Sequence, residues 1–147
     1  MPDDTLGELP RWAAELLESA PVARLGLLDA EGCPRVLPVT FALAEGAAWS
    51  AVDDKPKRVP GGELARVRWL RERPDAALTV DRYEDDWRRL AWVQLLGRVT
   101  VVDEPATEPG ALAALVAKYE EYRRRPPAGP LLRLDVRRTL SWRAGET

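Results

Sequence analysis

Apolar and polar positions alternate along this chain with two different periods, and the switches between them mark its elements. Over residues 5–19, Leu9, Trp12, Ala13, Leu16 and Leu17 return at helical spacing and predict an amphipathic helix. Thr5 and Glu8 have the spacing of a capping box, while Pro10 favours a start near Leu9, since proline is best tolerated in the first turn. Ala20-Pro21 closes the segment, and the period then falls to two. Residues 22–28 read as a strand, Asp29-Ala30-Glu31-Gly32 as a turn, and residues 34–44 as a second strand. In that strand Val36, Pro38, Thr40 and Ala42 share one face, and Leu37, Val39, Phe41 and Leu43 the other. Pro34 and Pro38 withhold two ladder hydrogen bonds, which points to a sheet edge or to a place where something else meets the backbone. Glu45-Gly46 is a two-residue connector, so residues 47–52 are expected to pair back as a hairpin.

Helical spacing returns over residues 63–73, with Leu64, Val67 and Leu70 inward, and Pro74-Asp75 stops it. Residues 76–83 read as a strand, Glu84-Asp85-Asp86 as a turn, and residues 87–102 as a long strand with Gly97 as a bulge. Leu112, Leu115, Val116, Tyr119 and Tyr122 predict one helix over residues 109–125, ended by Pro126-Pro127. Residues 131–142 form the last strand. The expected fold is α+β and mainly β: a single domain over residues 1–147, built as a six-stranded antiparallel split barrel with three flanking helices.

Composition narrows the chemistry. With 147 residues, 46% hydrophobic and 31% charged, the chain has the makeup of a soluble globular domain. Its net charge of −2 gives no whole-chain case for nucleic acid, and no run nears the roughly 20 apolar residues of a membrane span. The start, Met1-Pro2-Asp3-Asp4, lacks the features of a secretory signal, and Cys33 is the one cysteine, so a cytoplasmic protein without an intrachain disulfide is expected. There is no histidine. Ser-His-Asp and Cys-His machinery is therefore excluded, as are zinc sites built from His and Cys, and no metal site is expected. Neither a Walker A motif nor GxGxxG occurs. A chain this poor in acid–base groups near neutrality points to a bound cofactor as the carrier of any chemistry, and no side chain is assigned as catalytic.

The most suggestive stretch is Trp49-Ser50-Ala51-Val52-Asp53-Asp54-Lys55-Pro56-Lys57-Arg58, where cations and a hydroxyl follow a strand and precede a helix. Such a set suits a phosphate. Arg66, Arg68, Arg71 and Arg73 extend it toward a longer polyanion, or form a solvated helix face paired with acids such as Glu63 and Asp75. Trp87, Trp92 and Trp142 lie where a planar ring can stack, or serve core and interface packing. Tyr83 and Gln94, near strand ends, can meet a ligand edge or be satisfied structural residues.

These stretches, with Pro34-Arg35-Val36-Leu37-Pro38-Val39-Thr40-Phe41, Arg73-Pro74-Asp75-Ala76-Ala77-Leu78-Thr79-Val80-Asp81-Arg82-Tyr83 and Trp87-Arg88-Arg89-Leu90-Ala91-Trp92-Val93-Gln94, resemble the pyridoxamine phosphate oxidase-like split-barrel family. The resemblance is to its flavin/deazaflavin oxidoreductase branch, and the Asp-Lys-Pro-Lys and Asp-Arg-Tyr…Trp…Trp patterns are similar to its F420-dependent group. It implies a homodimer with a cofactor at the interface: coenzyme F420, or FMN as the alternative. It further implies that Val36, Pro38, Val39 and Thr40 lie along the ring and that Ser50, Lys55 and Lys57 hold the phosphate. Trp92, Gln94 and Trp142 would come from the partner subunit. The implied activity is hydride transfer between the deazaflavin and a small organic acceptor; an FMN oxidoreductase, or a module that binds the cofactor without catalysis, are the alternatives. The Arg- and His-rich C-terminal segment of true pyridoxamine phosphate oxidases has no counterpart in Ser141-Trp142-Arg143-Ala144-Gly145-Glu146-Thr147, which argues against vitamin B6 oxidation.

Overall fold

A computed structural model of the chain describes residues 5–52 and 64–145. Seven strands run through the described residues: β1 (Ala23–Leu28), β2 (Pro34–Val39), β3 (Ala42–Ala44), β4 (Ala47–Ala51), β5 (Asp75–Arg82), β6 (Ala91–Val102) and β7 (Leu131–Arg143). They form one antiparallel sheet in the order β2-β1-β5-β6-β7-β4-β3. Two tight turns set its hairpins. The Asp29 carboxylate accepts the N–H groups of Glu31 (3.0 Å) and Cys33 (2.9 Å), with Gly32 at φ 79°. Those N–H groups and Arg35 hold the Asp29 carboxyl below the ordinary carboxylate range, the Cys33 N–H contributing most. Glu45 and Gly46 at φ 53° and 75° make the two-residue turn of β3–β4.

The strand expected over residues 34–44 is two strands, so the sheet has seven rather than six. Thr40 and Phe41 interrupt it, and their position explains why. β2 and β3 are the opposite edges of the sheet, yet only these two residues separate them in the chain. The sheet must therefore curl until its edges meet, which closes the barrel. Two tyrosines hold the crossing point. The Phe41 N–H donates to the Tyr119 hydroxyl (2.9 Å), whose own proton lies between the carbonyls of Pro21 (3.0 Å) and Phe41 (3.1 Å). Thr40 and Tyr122 share a hydrogen bond of 2.7 Å between their hydroxyls, and the two tyrosine rings meet edge to face at 5.4 Å.

The same contacts account for a second departure. The helix expected over residues 109–125 is α3 (Pro109–Lys118) and α4 (Glu120–Arg124), separated by Tyr119 in an extended conformation at φ −116°, ψ 121°. Tertiary bonds to Phe41 and Pro21 override the helical preference of the segment. The expected N-terminal helix also divides, into a short 3-10 turn at Leu6–Glu8 and a helix α1 (Arg11–Ser19) that starts after Pro10. Thr5 caps neither; its hydroxyl donates to the Val136 carbonyl (3.1 Å) across the barrel. The fourth helix, α2, runs Ala65–Glu72. Residues 87–89 form a 3-10 turn rather than the start of β6, as the Asp86 carboxylate accepts the Arg88 N–H (3.1 Å).

Leu25, Leu27, Leu78, Val80, Val93, Leu95, Val99 and Leu134 fill the barrel, with Leu16 and Leu17 of α1 and Val67 and Leu70 of α2 packed against them. A second cluster of Trp49, Ala111, Leu115 and Leu131 fixes α3 on the outside of β3, β4 and the start of β7. Gly97 is a bulge, as expected. The β6–β7 register skips Arg137 there, and a Cβ on Gly97 would collide with the Asp135 carbonyl oxygen.

Lys118 ends α3 over the Phe41 ring (Nζ 3.6 Å from the centroid) and donates to the Leu17 carbonyl (3.2 Å). Partial burial lowers its pKa to about 8, opposed in part by Glu18. Because the folded pKa lies below the unfolded value near 10.5, the unfolded chain binds more protons between pH 8 and 10, so this group's cost to stability falls as pH rises through that window. Urea titrations across it are expected to give a shallower rise for Lys118→Met than for the parent chain. Tyr119→Phe, which strips two partners from the Phe41 backbone, is expected to cost about 1–3 kcal/mol in the same assay.

Candidate functional site

The barrel wall has an inside and an outside, and the strand registers say which residues share the outside. Leu25 and Leu27 of β1 point inward, leaving Arg24 and Gly26 outward. Across the sheet, one row reads Val36, Gly26, Ala77, Leu96 and Arg138, and the next Pro38, Arg24, Thr79, Gln94 and Leu140. The row beyond reads Asp81, Trp92 and Trp142. The helix α3 covers the outer surface only at the β3–β4 end. At the other end large apolar side chains stand in the open: Val36 is 67% exposed, Trp92 37% and Trp142 39%.

Local chemistry gives this face its relief. Gly26 and Ala77 make a shallow trough between Val36 and Leu96. Among the described residues a Cβ built on Gly26 would touch only Ala77, at ordinary van der Waals distances of 3.8 and 3.9 Å. The fold of this chain thus has room for a side chain there, and the space lies open. Gln94 donates its amide to the Thr79 hydroxyl (3.1 Å), which fixes the carboxamide and leaves its oxygen to accept. At the end of the trough a cleft of about 390 Å³ is walled by Trp92 and Trp142, with Arg24 and Asp81 along it. Among the described residues neither of these two charges has an ion-pair or hydrogen-bond partner.

Of the ten residues the sequence singled out, the structure gathers Val36, Pro38, Trp92, Gln94 and Trp142 on this face. Val39 is in the barrel core, so only its backbone is left to meet a ligand. Thr40 spends its hydroxyl on Tyr122. Ser50 is buried, lining a small internal void with Phe41 and Leu78, on the inner side of the wall. Lys55 and Lys57 lie outside the described residues. Arg71, and Arg73 just past the helix, are paired as the solvated-face reading expects: Arg71 meets the Asp103 carboxylate at 2.6 Å, and Arg73 meets Glu72 and the Asp29 carbonyl. Arg24 and Gly26 were not singled out, and Ala77 and Asp81 stood only within the stretch that carries the family resemblance. The signal for the first two lay in β1, where a cation and a glycine alternate with buried leucines. Among the described residues no group of three or more His, Cys, Asp or Glu side chains is placed to hold a metal, and no helix is long and apolar enough to cross a membrane.

Contrasting glycines give a check on the bare face. Gly26→Ala is expected to leave stability unchanged or raise it by about 0.5 kcal/mol, whereas Gly97→Ala should be strongly destabilising. Urea unfolding of the two variants tests this. A loss above about 1 kcal/mol on Gly26→Ala would mean that the trough is already filled in the free protein.

Comparison with known proteins accords with this architecture. No curated protein matches the chain. A conserved hypothetical protein of Mycobacterium tuberculosis superimposes with a TM-score of 0.72 at 19% identity, covering 92% of this chain and 85% of the other. An FAD-binding protein of Mesorhizobium loti gives 0.64 at 17% identity, with 87% of each chain covered. The haem storage protein of Vibrio cholerae gives 0.68 at 15%, with 90% of this chain and 92% of that one covered. At such identities the likeness is one of fold. Residues 9–143 match the family described as pyridoxamine 5'-phosphate oxidase, nearly the whole length of the sequence, and the chain belongs to that family.

Proposed function

We propose that the chain is a cytoplasmic F420-dependent oxidoreductase, a homodimer that holds the deazaflavin between the open faces of two sheets and passes a hydride to or from a small organic acceptor. The observation that carries this reading is the half-covered sheet. A face bearing Val36, Trp92 and Trp142 in the open, with a glycine-floored trough along it, calls for a flat apolar occupant and a second surface to close over it.

The residues present fit such a group. Gly26 and Ala77 admit a ring close to the backbone, and Gln94 and Arg24 offer an acceptor and a cation at its edge. Bound there, a deazaflavin supplies the redox centre that the side chains lack. The chain's own work is to orient the ring, exclude water and hold the anionic tail, for which Lys55 and Lys57 are the candidates by their resemblance to the F420-dependent group. Haem, which the Vibrio cholerae relative stores, is disfavoured because its commonest proximal ligand is histidine and this chain has none.

Parallel fluorescence titrations with F420 and FMN, on the parent chain and on a Lys55→Ala/Lys57→Ala variant, test the reading, with light scattering for the oligomer. Micromolar or tighter binding of F420 to a dimer, weakened by about tenfold or more in the variant, is the expected result. Preference for FMN would move the chain to the flavin branch. Tight binding without turnover on any acceptor would make it a cofactor-binding module, and binding of neither would remove the function.

A further inference from the structure

At the end of the open face the aromatic cleft runs into a second hollow of different character. One row of the sheet places Asp81, Trp92 and Trp142 side by side, and the adjacent row places Arg82, Ala91 and Arg143. Alternation sends the first row outward and the second toward the barrel rim. Arg82 and Arg143 thus flank a small buried alanine, their backbones two strand spacings, or about 10 Å, apart. They line a polar hollow of about 450 Å³ that shares Arg82 and Leu90 with the tryptophan cleft.

Arg88 and Arg89 line the same hollow, but their charge is matched. Arg88 meets Asp86 at 3.0 Å and Arg89 meets Glu84 at 2.8 Å. Arg82 is different. Its Nε donates to the Arg89 carbonyl (2.6 Å), an acceptor without formal charge, which fixes the guanidinium. Among the described residues its terminal nitrogens meet no acceptor. The guanidinium of Arg143 lies 5.3 Å from the centre of the Trp12 ring, which holds it at the rim. An oriented guanidinium beside a second one is suited to an oxyanion, and the tryptophans next door to a flat conjugated body. On the tryptophan side Asp81 and Arg24 carry opposite charges, so the positive surplus lies at the Arg82–Arg143 end.

We propose that the acceptor is a planar conjugated anion, with its ring system against Trp92 and Trp142 and its carboxylate or other oxyanion between Arg82 and Arg143. The identification as acceptor rests on the oxidoreductase reading above; the binding preference does not, and is measurable on the chain without cofactor.

Calorimetric titration with naphthoate and with its uncharged counterpart naphthamide makes the test. The acid is expected to bind about tenfold tighter than the amide, with the margin shrinking as salt is raised. Arg82→Gln should bring the acid down to the amide's affinity and leave the amide unaffected. Arg82→Lys should keep part of the margin, and Trp142→Ala should weaken both ligands. Circular dichroism establishes that each variant is folded, and Arg143→Gln takes the place of Arg82→Gln should the latter not fold. Equal affinities, binding of neither ligand, or a margin that survives loss of the arginine would each overturn the proposal. Such a result would leave F420 binding untouched, whereas failure of the cofactor titration would leave the acid–amide margin intact.

Discussion

Everything in this barrel depends on the two residues where the chain leaves one edge of the sheet and joins the other. Thr40 and Phe41 cannot belong to either ladder, so their polar backbone groups need partners from elsewhere. Tyr119 supplies them for Phe41, and Tyr122 engages the Thr40 hydroxyl. Both tyrosines are placed by α3 and α4, whose break at Tyr119 gives its hydroxyl the reach to Phe41 and Pro21. Burial raises the Tyr119 pKa, with the nearby Tyr122 adding to the rise and the Phe41 N–H opposing it, so the neutral hydroxyl that makes these bonds is the favoured form. Closure of the sheet and the division of a helix are one event.

That closure also decides how the outer surface is shared out. The helix that holds the crossing point must lie over β3 and β4, where Trp49, Leu115 and Leu131 form its private core. It cannot also cover β1, β2 and β5. The apolar side chains left bare at that end follow from where the barrel is fastened.

Much of this was legible in the residues. Helical and strand periods found every major element, Gly97 announced the bulge, and Pro34 and Pro38 marked what proves to be an edge strand. What failed was local. An unbroken two-residue alternation through residues 34–44 hides the change of edge at Thr40, because Phe41 keeps the apolar pattern while its backbone leaves the ladder for Tyr119. The helical spacing of Leu115, Tyr119 and Tyr122 likewise hides the break at Tyr119. The site was legible in part, and for a physical reason. Trp92 and Trp142 stand out by residue type, but that they are direct cross-strand neighbours, with Arg82 and Arg143 in the next row, is a matter of register between strands that are distant in sequence.

The bulge fixes that register in an unexpected way. Before it, the even-numbered residues Leu132, Leu134 and Val136 of β7 face the barrel interior. After it, the odd-numbered Thr139 and Ser141 pair with the inward Leu95 and Val93, and Trp142 turns out to the open face. Arg137, the extra residue, reverses the parity of everything beyond it. Paired without the bulge, the same sequence would send Trp142 into the barrel and Arg143 out onto the sheet. The surface that Trp142 joins is therefore specified by the bulge. The strand cannot run straight through position 137 without exchanging its two surfaces, and Gly97, with no Cβ to meet the Asp135 carbonyl, is what lets it bulge there.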